Sequence, residues 1–273
     1  MRRMWLMAIV LGLAAGGLVN VLADDLPPDE AGRRGPVRVP HCRACGLARP
    51  AEHWLALGHA LLRRGRCLYC AAPRGGRAPL VEAALAAGFV YLWAWSGGDG
   101  ARFLSAAVIT VVFALITVID LEHRLILWRV VWVSALVLAL LGALAPDRGW
   151  QKTLLGGVVG YGLVGLLFLV GQLYAWVLAR VRGQPLDEIA FGGGDVNLAG
   201  LIGLAVGWSG VLFALFIGVV SAGLFSLGYL AAQVARRRYN PHTPFAYGPF
   251  LVFGGLLIYL HGREFAAWWF GAR

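Results

Sequence analysis

Charge is scarce in this chain. Of its 273 residues 14% are Asp, Glu, Lys or Arg, where a soluble domain carries roughly 25%. Sparse charge, 59% hydrophobic residues and a mean hydropathy of +0.71 exclude an ordinary soluble globular protein. Segments of about ten residues with alternating polarity are missing too, which excludes a membrane β-barrel. There is no internal repeat, no low-complexity tail and no GxGxG fingerprint of a soluble methyltransferase. Cysteine is confined to four positions in one short segment. Acids number 14 against 24 basic residues, for a net charge of +10. In a soluble protein that excess would point to nucleic acid. In a membrane chain it marks cytoplasmic loops instead, and no nucleic-acid partner is expected.

What is present is a series of apolar runs near 20 residues, each able to cross a ~30 Å hydrocarbon layer as a helix. The expected fold class is all-α: a polytopic protein of the lipid bilayer with about eight transmembrane helices. The spans fall near 4–23, 79–96, 103–121, 128–145, 153–179, 195–207, 211–234 and 248–262. The sixth is short and glycine-rich, as expected of a segment that is tilted, broken or shielded from lipid by protein. The first opens with Arg2 and Arg3 like a signal peptide, but no small-x-small cleavage site precedes Asp24, and it reads as a retained helix.

With the N-terminus outside, the inside segments hold 17 of the 24 Lys and Arg residues, ten of them in the first loop. That bias places the loop in the cytoplasm. Three parts are expected: a first transmembrane helix over 1–23, a cytoplasmic loop domain over 24–78 and a membrane domain over 79–273.

The loop is too short for a large core, and domains of this size usually need a staple. All four cysteines lie in it, Cys42 and Cys45 in "CRAC", Cys67 and Cys70 in "CLYC". The pattern C-x2-C-x21-C-x2-C can set four thiolates tetrahedrally around Zn²⁺. In the cytoplasm disulfides rarely persist, so the expected state is a structural zinc site, with four reduced thiols or a redox pair as the alternative. Four thiolates close the coordination shell, so such a zinc supports the fold and does no chemistry. His41, His53 and His59 are close in sequence and are not expected to be ligands.

Two acids fall at one membrane face. Asp120 ends the apolar run of "ITVIDLEHRLIL", and Asp195 follows three glycines in "FGGGDVN". On the topology above both lie at the cytoplasmic face on separate helices. Two close carboxylates cannot both ionise easily, so they share a proton. One then acts as general base on a water and the other as general acid on a scissile carbonyl. Each acid also has a structural reading, Asp195 as a helix N-cap and Asp120 as half of an ion pair with Arg124. Their co-location favours function, because acids in membrane segments are functional suspects by default. Glu122 and Asp187 read as solvated loop charges. Gly192, Gly193 and Gly194 would let an extended substrate strand lie close against the backbone, or would serve as a hinge or helix-packing surface.

With these residues in view, the chain resembles the type IV prepilin peptidases of the GxGD aspartyl protease group, over nearly its whole length. "GGLVNVLADDLP" (Gly16 to Pro27) resembles the first helix and its exit. The knuckles with "LRRGRCLYCAAP" and "APLVE" resemble the cytoplasmic zinc module. "IDLEHRLIL" resembles the segment of the first acid, which falls on Asp120, and "GGGD" matches GxGD with its acid at Asp195. "TPFAYGPFLVFGG" resembles a late segment before the last helix.

The resemblance implies an intramembrane endopeptidase at the cytoplasmic face of the bacterial inner membrane. It would cut the basic leader from prepilins or pseudopilins after a Gly. Many members then N-methylate the new N-terminus with S-adenosylmethionine. The chain departs from the family pattern in four places. Leu127 and Trp128 stand where Pro and Asp are usual, Asn197 where Lys is usual, Asp25 where Arg is usual, and "HWLA" (His53 to Ala56) replaces a polar stretch. The other reading is a non-enzymatic transporter or assembly scaffold, against which stands the lack of repeats and of polar runs along the spans.

Overall fold

The computed structural model describes residues 2–28, 35–63, 65–146, 148–182, 192–236 and 246–271. Among these the chain forms nine α-helices and no strand: α1 Arg2–Asp25, α2 Ala56–Arg63, α3 Arg77–Trp95, α4 Gly100–His123, α5 Trp128–Leu144, α6 Gly149–Arg182, α7 Gly193–Val206, α8 Trp208–Ala235 and α9 Gly248–Phe270. Six of them (α1, α3, α4, α6, α8 and α9) are long and apolar enough to span a membrane, while α5 and α7 are apolar but shorter. The protein is thus an all-helical, multi-pass membrane protein.

Each expected span falls on one of these helices, and the last runs eight residues beyond its expected end at 262. Arg263 and Glu264 mark the end of the apolar stretch but not of the helix. α9 continues past a kink at His261 (φ −124°, ψ 15°), and Phe265 and Trp269 of this extension lie 5.5 and 6.2 Å from the ring of Phe213.

By packing, the chain divides into two compact units, residues 1–119 and 120–273, with the boundary inside α4. In the first unit α1 lies directly against α3. A Cβ on Gly12 would come within 2.6 Å of the Ala86 Cα, and one on Gly16 within 2.5 Å of the Glu82 Cα. The two glycines are one turn apart, the small-residue spacing that lets membrane helices approach closely.

Glu82 is fully buried, and a buried carboxylate must find donors. It accepts the backbone N–H groups of Ala56 and Leu57, both at 2.8 Å, and the Asn20 amide at 3.4 Å. Ala56 and Leu57 open α2, so the carboxylate meets orphan N–H groups at the positive end of a helix. The acidic end of α1 fixes the loop as well. Asp24 pairs with Arg43 and Arg77, each at 2.5 Å, and Asp25 accepts the Arg38 N–H at 2.7 Å.

In the second unit α7 is packed among α5, α6, α8 and α9. Gly156 and Gly160 of α6 face the Gly203 and Ala199 carbonyls of α7 so closely that neither has room for a Cβ. Ten residues of α7 lie in the interior or half-buried over Gly194–Gly203, a stretch without Lys or Arg. At its C-terminal end the Arg148 guanidinium donates to the Ala205 carbonyl, a cation at the negative end of a helix.

Replacing Glu82 by Ala strands two helix-start N–H groups in a buried site. We expect a loss of roughly 2–4 kcal/mol, read as a lower melting temperature in detergent and faster proteolysis within residues 24–78. The exposed Glu122→Ala serves as reference; an equal melting temperature for the two variants would refute the clamp.

Candidate active site

Asp120 stands in the last turn of α4. The helix closes at Arg124, whose φ is +53° and whose N–H bonds the Asp120 carbonyl at 2.8 Å, a left-handed cap. The Asp120 side chain is buried, 6% exposed. Its Oδ2 accepts the backbone N–H of Gly248 at 3.1 Å. Gly248 is the first residue of α9, and Pro249 follows it in the first turn, where its missing N–H costs nothing.

Asp195 is the third residue of α7. Its Oδ2 accepts the Gly192 N–H at 3.1 Å, one half of a capping box, while its own N–H bonds the Gly192 carbonyl at 3.0 Å in place of an N-cap side chain. The N-cap position that the sequence offers Asp195 as its structural reading falls on Gly192 instead, and Asp195 makes its contact from the third position of the helix. It also lies near enough to Asp120 for the two like charges to act on each other, and the opposite charge of Arg124 acts on Asp120 as well. Tyr247, the residue before α9, lies within reach of the Asp195 charge. The structure therefore brings together the end of α4, the start of α7 and the start of α9.

The three glycines do not behave alike. Gly192 and Gly193 are exposed, and a Cβ on Gly193 would meet nothing within 4 Å. Gly194 faces inward, where a Cβ would come within 3.0 Å of Ile126. Gly194 lets the start of α7 press against the segment just after Asp120. Asn197 is half-buried on α7, and Trp128 is 53% exposed. Asp187 and Phe191 lie outside the described residues.

The four cysteines form a second cluster. Their sulfurs all lie within 4.8 Å of one another. Cys42 and Cys70 are 3.8 Å apart, Cys45 and Cys67 3.9 Å. A tetrahedron with ~2.3 Å metal–sulfur bonds has S···S edges of about 3.8 Å, so the donor set fits a tetrahedral thiolate-bound metal. The two knuckles repeat one turn. The Gly46 N–H bonds the Cys42 carbonyl at 2.8 Å, and the Ala71 N–H bonds the Cys67 carbonyl at 3.1 Å. Both turn residues are left-handed, Gly46 at φ +73° and Ala71 at φ +56°. Backbone N–H groups of Cys70 and Tyr69 lower the Cys67 thiol to about 6, which favours the thiolate a metal needs. Among the described residues no histidine joins the cluster. His53 and His59 pack on each other instead, with ring centroids 4.4 Å apart.

Residues 106–227 match the type IV leader peptidase family, and residues 10–96 match the bacterial peptidase A24 N-terminal domain. The chain belongs to the type IV leader peptidase family. Curated relatives similar to it carry the name prepilin leader peptidase/N-methyltransferase. The protein of Burkholderia pseudomallei (strain 1026b) is 29% identical over 94% of this chain and 85% of its own length. That of Aeromonas hydrophila is 27% identical over 96% and 92%, and that of Legionella pneumophila 26% over 98% and 96%. No solved structure gives a significant match. The chain is accordingly a membrane peptidase, and the two matched regions include both the cysteine cluster and the two acids.

Sequence reasoning missed Glu82 and the start of α9 as structural centres. Glu82 had a signal, a lone acid inside the apolar "LVEAALAAGF". Gly248 had a weaker one, a Gly-Pro pair opening an apolar run. Its contribution is a main-chain N–H, which no side-chain pattern encodes.

The unequal glycines can be separated by substitution. Gly194→Val overpacks Ile126 and is expected to cost roughly 1–3 kcal/mol, read as a lower melting temperature in detergent. Gly193→Val points into open space and should cost clearly less. Equal losses would remove the inward role of Gly194.

Proposed function

We propose that this peptidase is an intramembrane aspartic endopeptidase with Asp120 and Asp195 as its catalytic pair. The observation that carries the reading is the meeting of two carboxylates from separate helices, α4 and α7, in mutual electrostatic range. One carboxylate takes a proton from a water, whose oxygen attacks the scissile carbonyl carbon. The other gives its proton to the carbonyl oxygen. Collapse of the tetrahedral diol breaks the C–N bond as the leaving nitrogen is protonated, and the pair returns to its shared-proton state. The open faces of Gly192 and Gly193 would receive an extended substrate segment, with Gly194 holding the floor against Ile126.

The substrates on this reading are prepilins or pseudopilins, cut after a Gly between a basic leader and an apolar helix. The names that the relatives carry and the family membership support this class. N-methylation of the new N-terminus with S-adenosylmethionine is the second activity those names point to. The arginine-rich loop sets the pair at the cytoplasmic face of the inner membrane. Within that architecture 1–23 is a membrane anchor, 24–78 a zinc module and 79–273 the peptidase domain. Cys42, Cys45, Cys67 and Cys70 would hold Zn²⁺, which when bound supplies cohesion to a loop too small for a core.

In membranes or detergent, Asp120→Asn and Asp195→Asn should each lower cleavage of a prepilin with a basic leader by a factor on the order of a thousand or more. Both variants should still accumulate in the membrane. Normal cleavage by either would sink the aspartic mechanism. Mass spectrometry of the cleaved product decides methylation by the presence or absence of one added methyl group.

The metal is a separate question. Purified protein should contain about one zinc per chain, and Cys45→Ser should lose it and melt earlier. Full zinc content in that variant would overturn the four-thiolate site.

A further inference from the structure

Gly248 stands where both acid-bearing helices meet α9. Its N–H reaches Asp120 Oδ2 at 3.1 Å, a buried contact between residues 128 positions apart. A Cβ at this position would fall 2.5 Å from that oxygen, 3.2 Å from the Asp120 Cγ and 3.5 Å from the Leu198 Cδ2. Leu198 is three residues after Asp195, hence on the same side of α7. Gly248 is itself buried, and Tyr247 beside it senses the Asp195 charge.

We infer that Gly248 is a positioning residue for the reaction: its backbone N–H fixes the Asp120 carboxylate, and only the lack of a side chain lets the carboxylate come close enough to be held. The inference rests on the proposed catalytic role of Asp120 and goes beyond it by giving α9 a part in the site. Oδ2 gives one lone pair to the Gly248 amide, which leaves the second oxygen, Oδ1, with both of its own for water or the substrate carbonyl. A side chain at 248 would push the carboxylate off the amide and turn that second oxygen away. Displacements of about 1 Å cost catalysis as much as a hundredfold.

The test uses the full-length protein in detergent or bilayers with a prepilin-type substrate bearing a basic leader. Four proteins are compared: wild type, Gly248→Ala, Asp120→Asn and Gly254→Ala. Gly254 lies in the same helix and has no room for a Cβ against the Ala214 carbonyl of α8, so it reports a packing defect away from the acids. Gly248→Ala should lower kcat by on the order of a hundredfold, leave KM little changed and displace the pH profile of kcat. Gly254→Ala should lower the melting temperature and leave that profile in place.

If Gly248→Ala keeps the wild-type kcat and profile while Asp120→Asn is inactive, the inference fails and the aspartic reading stands. If Asp120→Asn cleaves normally, the reading beneath it fails. Equal kcat losses in Gly248→Ala and Gly254→Ala, with both profiles unmoved, reduce Gly248 to packing and also overturn the inference. An independent measurement covers poor accumulation of the variant. In the wild-type protein the NMR shift of the Gly248 amide should change with pH in step with kcat, and a flat shift across that range refutes the contact.

Discussion

A carboxylate buried among apolar helices has to be met by donors that cannot move away, and in this protein the donors are main-chain N–H groups at helix starts. Glu82 takes the amides that open α2. Asp195 takes the Gly192 amide that precedes α7. Asp120 takes the Gly248 amide that opens α9. The first turn of a helix leaves its N–H groups without intrahelical partners and carries a partial positive charge. Each acid removes an orphan donor while the helix supplies the charge complement, so both halves of the contact would be costly alone. The positions of these acids therefore coincide with the starts of α2, α7 and α9.

The same requirement explains the short α7. Its 14 residues reach about 21 Å, less than the ~30 Å hydrocarbon layer. A helix of that length cannot hide its ends from lipid unless protein covers it. The cover comes from α6, 34 residues long, whose glycines meet the backbone of α7 with no side chain between. Acid at the start and Arg148 at the end complement the helix dipole at both termini.

The apolar elements were legible in the sequence because hydropathy over some 20 residues is a sum, insensitive to any one position. The cysteine cluster was legible because its spacing is local on each side. The end of α9 was not, since Arg263 and Glu264 mark where apolar character stops and a helix can continue beyond it on aromatic contacts with Phe213. "GGGD" read as one glycine-rich floor, yet 100° of rotation per residue turns Gly194 toward Ile126 while Gly193 stays open. Gly248 was hidden for another reason: what it contributes is a main-chain amide and an empty volume, and neither has a letter in the sequence.

Two helix starts facing two acids also bear on how the proposed pair can work. A pair of carboxylates that shares one proton carries one net negative charge. The starts of α7 and α9 each carry a partial positive charge, and Arg124 acts on Asp120 beside them, so the negative charge is met from more than one element. On the proposed mechanism the working state is the singly protonated one, in which a general base and a general acid are present at once. Its net charge persists through the reaction, because the proton passes from one carboxylate to the other by way of water and substrate.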